Sequence, residues 1–275
     1  MKKIVLITGT SSGFGLLTSA VLARKGYHVI ATMRDLSKQD RLLEAAGDAQ
    51  DRIECMTLDV TNHDEIDEVV KSVIEKHGAI DLLVNNAGYA EGGFVEEVPM
   101  EKWRNQFETN FFGTLAMTKA VVPYMRERGK GTIINVSSIS GRMALPGLGP
   151  YSASKFALEG FSESLRFELL PLGIHVVLVE PGSYKTPIWK KGVEAVSVTE
   201  TSAYHEKTKK LVGVVRHIEK TAGDPQEVAD LICKIAQEAR PAFRRPLGKG
   251  VKATLRARDF LPWRWLERAV VKRMH

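Results

Sequence analysis

The chain has 275 residues, 44% hydrophobic and 26% charged, which is enough apolar material for one large core and excludes a disordered or fibrous class. Its formal charge of +6 is local: from Arg240 onward eleven Lys or Arg stand against two acids, so the preceding residues carry about three net negative charges. No nucleic-acid motif accompanies that basic stretch, and the two cysteines, Cys55 and Cys233, lie far apart without metal-ligand spacing and read as reduced thiols, so neither nucleic acid nor a metal is expected.

Ile4-Val5-Leu6-Ile7 is a continuous apolar run of the kind a strand buried on both faces shows. It is too short for a signal-peptide core, and no run approaches the roughly 20 apolar residues of a spanning helix, so a cytoplasmic location is expected. Thr8-Gly9-Thr10-Ser11-Ser12-Gly13-Phe14-Gly15 follows, and then a helical pattern through Leu16, Leu17, Ala20, Val21 and Ala23. Glycines let the backbone approach a pyrophosphate, and the unpaired N–H groups that open a helix bind its charge. A dinucleotide is the expected ligand, although the spacing G-x-x-x-G-x-G differs from the familiar G-x-G-x-x-G.

Short apolar runs recur at 27–32, 52–58, 80–84, 131–137 and 173–179, with helical stretches between them. This alternation predicts an α/β fold, a Rossmann-type doubly wound parallel sheet with helices on both faces, whose site lies at the carboxyl ends of the strands. Residues 1–250 are expected to form one domain, followed by a basic aromatic tail at 251–275.

Tyr151-Ser152-Ala153-Ser154-Lys155 places a tyrosine and a lysine on one helix face. A free phenol titrates near about 10, and an ammonium beside it favours phenolate. The pair reads as a proton donor whose acidity the lysine sets.

With Thr8 to Gly15, Asn85-Asn86-Ala87-Gly88 and Tyr151 to Lys155 in that order, the chain resembles the short-chain dehydrogenase/reductase family in its single-domain branch. Thr32-Met33-Arg34-Asp35 and the run from Tyr151 to Gly160 look similar to its hydroxysteroid and retinol dehydrogenase members. The resemblance implies a catalytic tetrad of Asn110, Ser138, Tyr151 and Lys155, with Ser137 and Ser140 as neighbours able to take the place of Ser138. It implies cofactor contacts from Gly9, Ser11, Ser12, Gly13, Phe14 and Gly15, from Asp59 and Val60 at the adenine, and from Asn86, Ala87 and Gly88. Pro181, Gly182 and Thr186 would close over the nicotinamide end. In the implied reaction, Ser138 and Tyr151 hydrogen-bond a substrate oxygen and Tyr151 gives its proton. Lys155 steers the phenol and bonds the cofactor ribose, and Asn110 orders a water near Lys155. A homo-oligomer, dimer or tetramer, is expected through helices within 101–128 and 152–170, where Phe156, Leu158, Phe161, Leu165 and Phe167 divide between core and partner.

NAD-preferring relatives place an acid at the end of the second strand; here that position holds Met33, and Arg34 offers a charged fork for a 2′-phosphate. NADP(H) is the expected cofactor. A one-residue shift of register would instead bring Asp35 to the ribose and favour NAD(H). Asp59 and Thr61 are also candidate caps for the next helix.

Residues 188–223, with Trp189, Val193, Val196, Val198, Tyr204 and Leu211, read as a substrate lid with hinge freedom at Gly192 and Gly213. Ser138, Leu145, Tyr151 and Trp189 are the candidate substrate contacts, with Met143, Pro146 and Leu148 adding apolar wall. A lipophilic ketone, aldehyde or secondary alcohol fits such a lining. The tail combines Phe260, Leu261, Trp263, Trp265, Leu266, Val270 and Val271 with basic residues, and Pro262 limits its helix. A dimer or pocket contact, a peripheral membrane contact and a solvated basic helix are its three readings. An NAD-dependent alcohol dehydrogenase of the same fold and a non-catalytic NADPH-binding regulator are the alternative functions.

Overall fold

The computed structural model describes residues 2–188 and 200–274. Seven parallel strands form one sheet: β1 (Ile4–Thr8), β2 (His28–Met33), β3 (Ile53–Thr57), β4 (Leu82–Asn85), β5 (Gly131–Val136), β6 (Ile174–Pro181) and β7 (Arg244–Leu247), in the order β3-β2-β1-β4-β5-β6-β7. Six of these strands fall on the six predicted runs, their ends differing by at most two residues. The seventh was not predicted. Arg244-Arg245-Pro246-Leu247 lacks the apolar run of its neighbours, and its proline, with no N–H to give, is tolerated because β7 pairs on one side only.

Alternate side chains of each strand enter opposite layers. Val5, Ile7, Val29, Ala31, Val84, Ile134 and Val177 meet α1 (Gly13–Arg24), α2 (Asp40–Ala46) and α8 (Gln226–Ile235) on one face. Ile4, Leu6, Ile30, Leu83, Ile133 and Val176 meet α3 (His63–His77), α5 (Gly113–Glu127) and α6 (Gly149–Leu169) on the other. The doubly wound architecture expected from the sequence is therefore present, and its strands read as continuous apolar runs because both faces are covered.

A buried amide line braces the second layer. Asn85 Nδ2 donates to Asn135 Oδ1 at 2.9 Å, and Asn135 Nδ2 donates to Ser162 Oγ at 2.9 Å, linking β4, β5 and α6. The cap of α3 corrects the expectation of Asp59 or Thr61. Asn62 occupies that position, accepting from Glu65 N and donating to Glu65 Oε1 at 2.8 Å, a reciprocal pair that Thr61 is one residue too early to make.

On α6, Leu158 and Leu165 are buried while Phe156 and Phe167 are exposed, so the aromatic side chains take the outward share of that helix. After the undescribed segment, α7 (His205–Thr221) is one helix, and Gly213 lies inside it, where intrahelical hydrogen bonds rather than a free turn fix its backbone. Gly192, Val193, Val196 and Val198 lie outside the described residues. The tail forms two helices, α9 (Val251–Phe260) and α10 (Trp263–Met274), separated at Leu261 and Pro262. Among the described residues no helix is long and apolar enough to cross a membrane.

Candidate active site

The sheet order reverses between β1 and β4, and the loops leaving those two strands meet at their carboxyl ends. Asn86 holds them together: its N–H donates to Thr8 Oγ1 at 3.0 Å, and its side-chain amide donates to the carbonyls of Thr8 and Gly9 at 2.9 and 3.0 Å. Gly9 has φ +71° and lies so close to Ala87 that a Cβ would come within 2.8 Å of its Cα. A Cβ on Gly15 would strike the Gly9 carbonyl and the Asn86 amide, so the loop closes only with glycine at both positions. Ser12 stands at the N-cap of α1 with no side-chain capping bond, leaving the first-turn N–H groups for a ligand. Phe14 is turned inward and meets the ring of Tyr184 edge to face, with centroids 5.7 Å apart.

Ser138, Tyr151 and Lys155 come together at the ends of β5 and α6, all buried. Ser138 heads the short turn Ile139–Gly141, its Oγ accepting from Ser140 N at 3.1 Å, and it stands near enough to the Tyr151 phenol to favour its ionised form. Ser140 thus serves that turn through its backbone, while the Ser137 hydroxyl is occupied by Glu159. Of the three serines, Ser138 is the one that bears on the Tyr151 phenol.

The expected depression of the Tyr151 pKa is corrected by the structure. Burial dominates and raises it above 10.0, the Ser138 hydrogen bond only opposing that rise. Lys155 Nζ lies 5.9 Å from the tyrosine ring centroid and donates to the Val136 carbonyl at 2.8 Å, so its ammonium is directed at backbone. Burial brings its own pKa down to about 8, with Glu159 opposing.

Asn110 sits in the π-helical turn Glu108–Phe112, where an extra residue loosens the helix ladder. Its side chain is committed: Oδ1 accepts from Tyr89 N at 3.1 Å, and Nδ2 donates to Tyr89 O at 3.0 Å and Ser154 Oγ at 3.2 Å. It joins the loop after β4 to α6, and its Oδ1 would stand 3.0 Å from a Cβ on Gly88.

The sequence did not reveal what lies behind these groups. Glu180 is fully buried on β6, Glu159 lies one turn beyond Lys155, and Arg244 of β7 reaches both, with its Nη1 2.9 Å from Glu180 Oε1 and its Nη2 2.7 Å from Glu163 Oε2. Burial and the neighbouring Glu180 nevertheless push Glu159 up to about 7, against the pull of Ser137 and Arg244. Glu159 lies one helical turn after Lys155, but nothing in the local pattern foretells that an unpredicted edge strand supplies its cation.

At the other end of the cleft Met33 is buried as the last residue of β2, and Arg34 emerges with its side chain 77% exposed, 3.9 Å from Asp59 Oδ2. Asp35 turns back on its own chain: it accepts from Ser37 N and Oγ and pairs with Lys38, contacts that bring its pKa down to about 2. Asp59 accepts from Thr61 N and Oγ1, and Val60 is packed against Gly113 at the start of α5. Pro181 ends β6, Gly182 N donates to Leu247 O at 2.8 Å, and Thr186 comes over Gly13, 3.6 Å from where a Cβ would stand. Tyr184, unremarked in the sequence, anchors this segment: it is buried, and its hydroxyl donates to Glu227 of α8 at 3.1 Å.

On the substrate side Leu145 is 44% exposed in the loop between Ser138 and Tyr151. Leu211 of α7 packs against Gly147 of the same loop. Tyr204 stacks on Phe94 at 4.5 Å and donates to Glu96 at 2.8 Å, fixing the start of α7. Trp189 lies outside the described residues.

A parallel sheet with a glycine cradle at its switch point and a Ser-Tyr-Lys cluster beside it defines a nicotinamide-dependent oxidoreductase acting on carbonyl or alcohol groups. Residues 3–197 match the family model described as short chain dehydrogenase. The chain is 51% identical to the oxidoreductase YusZ of Bacillus subtilis (strain 168) over 99% of each chain. It is 37% identical to a 3-ketodihydrosphingosine reductase of Bacteroides thetaiotaomicron, covering 94% of this chain and 93% of that one. A solved short-chain dehydrogenase from Streptomyces avermitilis superposes with a TM-score of 0.83 at 35% identity, covering 98% of each. The chain belongs to the short-chain dehydrogenase/reductase family.

Proposed function

We propose that this protein uses NADPH to reduce a ketone or aldehyde on a lipophilic molecule, with Tyr151 as the general acid, and runs through the same residues when it oxidises the corresponding alcohol. The observation that carries the reading is the convergence of buried Ser138, Tyr151 and Lys155 beside a loop whose glycines leave room for a pyrophosphate. The residues present fit the dinucleotide. Gly9, Gly13 and Gly15 form the cradle, the free first-turn N–H groups of α1 face it, and Arg34 stands at the adenosine end while Asp35 is engaged elsewhere. Ser11 and Ser12 hydroxyls supplement Arg34 at a 2′-phosphate. The nicotinamide, when bound, supplies or accepts the hydride.

The chain's own residues handle the substrate oxygen and its proton. Ser138 and Tyr151 hold the oxygen, and Tyr151 releases its proton as negative charge develops there. In this burial the phenol stays protonated at neutral pH, which suits an acid. Lys155 keeps a positive charge near the phenolate left behind. Asn110 holds the loop after β4 against α6, so its role is to position. Substrate class is supported by the apolar, partly exposed Leu145, in the loop that Leu211 of α7 packs against at Gly147, and by the 3-ketodihydrosphingosine reductase among the relatives. The exposed Phe112, in the turn that precedes α5, and Phe156 and Phe167 on α6 support assembly through those helices, as dimer or tetramer.

The test is consumption of NADPH and NADH by the purified protein with a panel of lipophilic ketones and aldehydes, beside Tyr151→Phe. NADPH-dependent turnover that falls at least a hundredfold in the variant is expected. Turnover that survives the substitution would remove Tyr151 from the chemistry.

A further inference from the structure

Phe260, Trp263 and Trp265 are 83%, 72% and 62% exposed, and Leu261 between them is exposed as well. Single exposed apolar residues are ordinary, but four large ones within six positions form a continuous projecting patch. They project because Pro262 and Leu261 interrupt the helix there, and because α10 is attached by a narrow seam. Among its described side chains only Leu266 and Val270, four positions apart, are half-buried, and the helix lies against α7 and α9. Around this patch the charge is predominantly positive: residues 251–274 carry seven Lys or Arg against two acids, and one of the acids, Asp259, is taken up by Arg142 and Arg258.

The same segment lies at the active-site end of the sheet. Val251 packs on Gly182 at the end of β6, and Arg142, four residues after Ser138, reaches Asp259 of α9 at 3.4 Å. α10 touches α7, and α7 places Leu211 on the loop that carries Leu145 and Gly147. The patch, the helix over the substrate loop and that loop are thus in consecutive contact.

We propose that the corner of α9 and α10 is a docking surface for an anionic phospholipid bilayer, which sets α7 against the membrane as the entrance for a lipophilic substrate. Indoles and a phenyl ring enter the headgroup boundary while the surrounding cations meet lipid phosphates, the composition of an interfacial segment. No described helix can span, so contact is peripheral. A second copy is the poorer occupant, since a two-fold contact would set one basic corner on its equal. The substrate entrance rests on the proposed action on lipophilic carbonyl compounds; bilayer binding itself does not.

The experiment sediments the full chain with sucrose-loaded vesicles of equimolar phosphatidylglycerol and phosphatidylcholine, and with phosphatidylcholine alone. It compares the wild type with Trp263→Ala/Trp265→Ala and with Arg264→Glu/Arg268→Glu. Binding to the anionic vesicles alone is expected, weakened about tenfold or more by either pair of substitutions and by added salt. Turnover of a water-soluble ketone by the variants stays at the wild-type level, showing that they fold, whereas turnover of a ketone dissolved in the vesicles falls with binding. Wild-type protein that stays in the supernatant with anionic vesicles overturns the proposal. So do variants that sediment like the wild type, and so does a patch whose substitution converts a dimer to monomer in light scattering without any vesicle binding. If vesicles bind but no carbonyl compound is reduced, the docking surface stands and the enzymatic reading fails.

Discussion

Replacing Arg34 with alanine separates the binding of NADPH from that of NADH. The guanidinium follows the buried Met33, is 77% exposed, and has Asp59 as a partner at 3.9 Å. That ion pair contributes about 0–1 kcal/mol at such exposure, so the fold loses little with it. A charge-assisted bond to phosphate contributes about 1.5–3 kcal/mol. Water and salt screen this position, so the lower end applies: about 1.5–2 kcal/mol, or roughly 10–30-fold in Kd. Arg34→Ala is therefore expected to weaken NADPH by that factor and NADH by less than about threefold. Calorimetric titration of both cofactors at two salt concentrations checks this, with the NADPH effect shrinking at the higher one. Asp35→Ala is the control, because the Asp35 carboxylate is engaged by Ser37 and Lys38 and both affinities should hold. Equal weakening of the two cofactors by Arg34→Ala, or no weakening of NADPH, would show that Arg34 does not read a 2′-phosphate.

Two further outcomes follow from the buried charges. The value of kcat/KM for ketone reduction, which reports the free enzyme, should decline as pH rises through about 8, where Lys155 gives up its proton; a profile flat through that value would contradict the role assigned to its charge. Arg244→Met leaves Glu159 and Glu180 without their main cation and should cost about 3–5 kcal/mol in denaturant unfolding at pH 8. Because the folded-state pKa of Glu159 is raised to about 7, the stability linked to its protonation is full below the unfolded value near 4.5 and lost as pH rises through 7. The deficit of the variant should therefore shrink toward pH 5, and a deficit independent of pH would mean that packing rather than charge is responsible.

The parts of the fold legible in the sequence are those whose physics is local. The five inner strands declared themselves because both of their faces are covered, and the cradle declared itself because Gly9 and Gly15 allow backbone contacts that a Cβ would forbid. Tyr151 and Lys155 were readable as one helix face, yet their electrostatics were not. The depth of burial and the Val136 carbonyl that receives the ammonium come from β5, and spacing carries no trace of them. Asn62 was missed as a cap because Asp59, Thr61 and Asn62 all suit that position within four residues, and only the reciprocal contact with Glu65 decides between them. β7 escaped because an edge strand need not be apolar, and Tyr184 because its neighbours Phe14 and Glu227 are distant in sequence.

The same edge strand explains why the C-terminal region belongs with the cluster of Ser138, Tyr151 and Lys155. Arg244 pairs with Glu180 on β6 and with Glu159 on α6, so the position of α6 relative to the sheet depends on a residue nearly ninety positions beyond Lys155. Ser137 extends that network to the turn that aims Ser138, and Arg142 extends it outward, 3.7 Å from Glu180 and 3.4 Å from Asp259. Gly141 stands between these contacts with no space for a side chain against Glu159 and the Lys155 carbonyl. A buried carboxylate pair is costly to maintain, and an apolar core of equal volume would be at least as stable. Its presence one turn behind Lys155 is better understood through the field it sets: negative charge there opposes the desolvation that would otherwise strip the lysine of its proton, and so favours the ammonium that the proposed proton transfer from Tyr151 calls for.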